Sequence, residues 1–118
     1  MDAHFAVTDK NELIALHRAL FEAQFSENPL DRDVPGSPLL ASLANRLVDA
    51  LTEVDPRWAD WRKAEKHPDR VAIAKANLLA SPGWASLPRE EKLKSINNQL
   101  APLIPSADLV VELLGDAA

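Results

Sequence analysis

Apolar and polar positions divide most clearly between Pro38 and Val54. Leu39, Leu40, Leu43, Leu47, Val48, Leu51 and Val54 fall on one half of a helical wheel; Ser42, Asn45, Arg46, Asp49, Thr52 and Glu53 fall on the other. That half-and-half division predicts a helix with one core-facing side. An earlier helix is expected from Lys10 to Phe25, capped by Thr8 or Asp9, with Glu12 at capping-box spacing from Asp9. Its apolar residues, from Leu13 and Ile14 to Phe25, cover an arc too broad for a single buried stripe.

Proline marks where the rods begin. Ser37-Pro38, Asp55-Pro56, His67-Pro68 and Leu87-Pro88 each precede a run of good helix formers. Proline lacks an amide hydrogen and has a preset φ, which suits the first turn of a helix and little else inside one. The third helix therefore spans 56–66, with Trp58 and Trp61 three apart on one face. The fourth, 68–80, is rich in alanine and is expected near the centre, where small side chains permit close approach. The fifth, 88–100, has a narrow stripe of Leu93, Ile96 and Leu100 and is expected on the surface. The sixth runs from Ser106 to Leu114, with Leu109, Val110, Leu113 and Leu114 inward and Gly115 closing it. Loops fall at 28–36 and 81–84, and no alternating β-branched run predicts a strand. The expected fold is all-α: a compact single-domain bundle of five or six short helices with mixed crossing angles over residues 1–118, with 1–7 as a loosely ordered N-terminal arm.

Composition narrows the chemistry. A chain of 118 residues, 47% of them hydrophobic, has room for one core. It has no cysteine, which removes disulfides, thiolate metal sites and thiol nucleophiles together. Met1–Phe5 lacks the basic and long apolar stretches of a signal peptide, and no apolar run approaches the roughly 20 residues of a membrane helix. A soluble, cytoplasmic protein is expected. The net charge of −5 is unevenly placed: residues 1–55 carry ten acids and four bases, 56–94 five acids and nine bases, and 95–118 three acids and no base.

No catalytic, metal or cofactor motif is present. His4, His17 and His67 lack partners at ligand spacing, Asp31-Arg32-Asp33 lacks the further ligands of a calcium loop, and three scattered glycines make no phosphate loop. Two weaker patterns remain. His17 interrupts the apolar arc of the first helix, with Gln24 two turns on, so this polar pair needs core hydrogen bonds or a pocket or interface to face. Trp58 and Trp61 stand among Arg57, Arg62, Lys63 and Lys66, with Trp84 in a following turn, the residue types of binding hot spots. The function expected is a non-enzymatic interaction or regulatory module. It would bind an acidic protein partner through Trp58, Trp61, Arg62, Lys66 and Trp84. Alternatives are nucleic-acid binding, with Lys92, Lys94, Ser95, Asn97, Asn98 and Gln99 as readers, and small-ligand binding in a Trp-lined pocket; a homodimer also fits the segregated charge.

Overall fold

Three short side chains begin three of the helices. Asp9, Ser37 and Ser106 each accept a hydrogen bond from the amide three residues ahead, on Glu12, Leu40 and Leu109, at 3.0, 3.3 and 3.2 Å. These bonds satisfy amides that have no partner inside the helix. In the computed structural model, which describes residues 3–115, they open α1 (Lys10–Gln24), α2 (Pro38–Val54) and α6 (Ala107–Leu114). Between them lie α3 (Arg57–Trp61), α4 (Pro68–Ala80) and α5 (Arg89–Leu100), with 3₁₀ turns at Ala64–Lys66 and Trp84–Ser86. The fold is all-α, and the described residues form no strand. Gly115 closes α6 in the left-handed region.

The third helix is shorter than its proline and periodicity predict. Lys63 turns extended because the chain there pairs with a distant segment: Ile104 N–H donates to the Arg62 carbonyl at 2.7 Å, and Ala64 N–H donates to the Ile104 carbonyl at 3.0 Å. This one-residue parallel bridge ends α3 and fixes its direction. The Arg62 guanidinium reinforces it, donating to the Pro102 carbonyl at 3.0 Å, to Asp49 at 2.6 Å and to Asn45 at 2.9 Å. One side chain thus joins α2, α3 and the segment before α6.

The core has two parts. The larger gathers Phe25, Leu78, Trp84, Ile96, Leu100, Leu103 and Leu113; the smaller gathers Leu13, Leu47 and Leu51, with Val7 and Trp58 packed against it. Residues 3–9 have no regular structure and Phe5 is exposed; Met1 and Asp2 of the expected arm lie outside the described residues.

Two expected positions are exchanged. α5, expected on the surface, is central: it packs on α2, α4 and α6 and buries Ile96 and Leu100 fully. α4, expected at the centre, leaves Ala72, Ala76, Leu79 and Ala80 exposed. The pattern misleads because a polar residue, Gln99, is also buried on α5 under the 26–37 loop. Gly36 makes that possible: it has φ +80°, and a Cβ there would collide with the Gln99 amide. On α2 the buried face likewise turns toward Ala41 and Ala44, small residues that admit close neighbours, and leaves Leu39 83% exposed.

Replacing Arg62 with alanine strands the buried Pro102 carbonyl and releases α3. We expect urea denaturation to show a loss of about 2–3 kcal/mol. Arg62→Lys should restore only a minor part, because an ammonium does not reproduce the guanidinium fork.

Candidate functional site

On α1, Ile14, His17, Arg18 and Phe21 follow helical spacing and face a common side. Opposite them stand Trp58 and Trp61 of α3, whose bearing the bridge at Lys63 sets. His67 and Arg70 at the start of α4 complete the wall. Together with Glu22 these residues line a cleft of about 560 Å³. A shallower one of about 390 Å³, lined by Lys10, Ile14, Asp55, Arg57, Trp58 and Trp61, continues past the same two indoles. The first volume lies within the roughly 300–1,000 Å³ of small-molecule sites.

The walls are aromatic. His17 meets Trp58 and Trp61 edge-on at centroid distances of 5.1 and 4.8 Å, and Phe21 lies 5.2 Å from Trp61. His17 is the most deeply set, at 4% exposure. Burial lowers its pKa to about 4, so the ring is neutral at physiological pH. Neither its ring nitrogens nor the indole N–H groups of Trp58 and Trp61 have a hydrogen-bond partner among the described residues. His67 differs: its Nε2 donates to the Trp61 carbonyl at 2.7 Å.

The rim is cationic. Lys10, Arg18, Arg57 and Arg70 face only two carboxylates, Glu22 and Asp55. Both carboxylates are engaged. Arg70 pairs with Glu22 at 2.7 Å while lying over the Phe21 ring at 4.7 Å. Arg57 pairs with Asp55 at 2.8 Å, and its hydrogen bonds hold the Asp55 pKa down to about 2. Arg18 has no acidic partner among the described residues.

Of the five residues expected in one contact area, the cleft contains Trp58 and Trp61, and His17, expected separately as a pocket or interface residue, joins them. Trp84 is 8% exposed and belongs to the larger core, beneath Lys92. Arg62 is consumed by its three internal bonds, and Lys66 pairs with Asp60, which also holds Lys63. Gln24 does not face the cleft: it is 2% exposed, and its amide donates to the Asn98 carbonyl at 2.9 Å, pegging α1 to α5. Ile14, Arg18, Phe21, His67 and Arg70 were not anticipated as partners of the indoles. The 14–17–18–21 spacing on α1 is the one sequence signal that points to them. No group of three or more metal-ligating side chains converges among the described residues. Compared with models of known protein families, with curated proteins and with solved structures, the chain matches none.

The buried imidazole couples stability to pH. Its folded pKa of about 4 lies below the ordinary 6.5, so between these values the unfolded chain binds a proton that the folded chain refuses. The neutral ring's contribution is fully present above about pH 6.5 and is lost as pH falls toward 4. The loss is on the order of 3 kcal/mol. Urea midpoints measured from pH 7.5 to 4.5 should fall accordingly, and His17→Leu should flatten that fall. Asp55 acts lower, its contribution disappearing between pH 3.8 and about 2.

Proposed function

We propose that the protein is a non-catalytic interaction module that binds an acidic protein partner in the cleft between α1 and α3. One observation carries this reading: two half-buried indoles lie open to a cleft where unpaired Arg18 adds to a cationic rim. Tryptophan beside arginine is the composition of an energetic hot spot. Positive potential steers an acidic surface toward it, and burial of an apolar anchor against Trp58, Trp61 and Phe21 then slows departure.

A small organic acid is a second reading, favoured by the cleft's volume and by deeply set His17. Of the readers expected for the nucleic-acid alternative, Gln99 is buried, Lys94 pairs with Glu91 at 3.5 Å and Lys92 lies over Trp84, while Asn97 is exposed, so that alternative is the less favoured one.

Affinity capture from native extract tests the proposal. The wild-type chain should retain a protein that nuclease treatment leaves bound. Arg18→Glu, an exposed change that leaves the packing intact, should reduce recovery at least tenfold at low salt. Recovery that is unchanged in Arg18→Glu, or lost on nuclease treatment, overturns it.

A further inference from the structure

α4 is apolar on both sides. Its inner side buries Ala74 and Leu78, and its opposite side faces solvent. Ala72, Ala76 and Ala80 climb that outer face four residues apart; Ile73 flanks them on one side and Leu79, 62% exposed, on the other. Apart from Asp69 at its start, the face carries no charge. Ala72, Ile73, Ala76 and Asn77 border a groove along it, walled by Glu27 and Asn28 of the 26–37 loop. The same loop sets Arg32 beside Ala80, Ser81 and Pro82 at the far end. Leu30, between Glu27 and Arg32 in the chain, is wholly exposed. Glu27, Arg32 and Asp69 have no ion pair among the described residues. None of these side chains lines the cleft between α1 and α3.

We propose that this face pairs with the same face of a second copy, α4 antiparallel to α4 about a two-fold axis at Ala76. The spacing along the helix makes the face complementary to itself. Such an axis sets residue 72 level with residue 80 of the second copy and keeps each flank on its own side. Ile73 then comes beside Ala80 of the second copy, and Leu79 beside its Ala72, so a large side chain meets a small one at each step. Alanine lets the two helix axes approach to about 8 Å. The charges obey the same symmetry. Glu27 stands by the first half of α4 and Arg32 by its last turn, both on the flank of Asn77. The axis exchanges those levels, so each Arg32 meets Glu27 of the other copy, with Asp69 of that copy at the same end. An unrelated partner would have to reproduce both patterns, whereas a second copy already has them. The helix, 13 residues and about 20 Å long, gives a contact below the roughly 800 Å² per partner of a standard interface. That size suits a transient pair with a dissociation constant on the order of 10 μM.

Sedimentation velocity of the full chain, from about 1 to 500 μM at low salt, tests this. The weight-average sedimentation coefficient should rise with concentration toward that of a dimer. Ala76→Glu sets two carboxylates against each other at the axis. Its site is exposed, so the circular dichroism should match wild type while the chain stays monomeric at every concentration. Arg32→Glu and Glu27→Arg should each weaken pairing at least fivefold, and the two together should recover most of that loss. A wild-type chain that stays monomeric throughout overturns the proposal. So does a dimer that Ala76→Glu leaves intact, or a double variant that pairs no more tightly than either single one.

Discussion

Arg62 is the joint on which the rest of the molecule depends. Its side chain is only 13% exposed, and its guanidinium reaches α2 through Asn45 and Asp49 and the pre-α6 segment through Pro102. Its own carbonyl takes the amide of Ile104. A five-residue helix such as α3 has too few internal bonds to persist alone. It persists because this joint holds its C-terminal end, and the direction so imposed turns Trp58 and Trp61 toward α1. The cleft is therefore a product of hydrogen bonds formed on the opposite side of the helix that lines it.

Charge is handled locally throughout. Asp55 holds Arg57, Asp60 holds Lys63 and Lys66, Glu22 holds Arg70, and Glu112 holds Lys75 at 3.4 Å. The cationic excess of residues 56–94 is thus largely neutralised side chain by side chain, some of it by acids from the two flanking segments. Most of these pairs are exposed and contribute little stability each. Their effect is to leave Arg18 and Lys10 beside the indoles without an ion pair among the described residues.

The proline boundaries, the capping residues and the α2 and α6 stripes made the helices legible from sequence, because each rests on interactions within a few residues. Burial was legible only where large apolar side chains mark it. Gln99 and Gln24 are buried through bonds and contacts made across the fold, with Gly36 and Asn98, and no local period announces them. Arg62 looked like a neighbour of Trp61 available to a partner; its true partners lie 13 to 40 residues away. Trp84 failed for a related reason: a tryptophan in a Pro-Gly turn reads the same whether the turn folds inward or outward. The site was half visible, in the indoles and His17, while its other wall depended on how α1 crosses α3.

The bridge between Lys63 and Ile104 also sets an order of events in the cell. A nascent chain emerging from the ribosome presents both tryptophans some forty residues before the strand-like partner of Lys63 has left the exit tunnel. Until then the indoles have their contacts with α1 and the Arg62 bonds to α2, but not the bridge that ends α3. The angle of α3 is therefore completed only once both halves of the bridge, Arg62 and Ile104, have been synthesised.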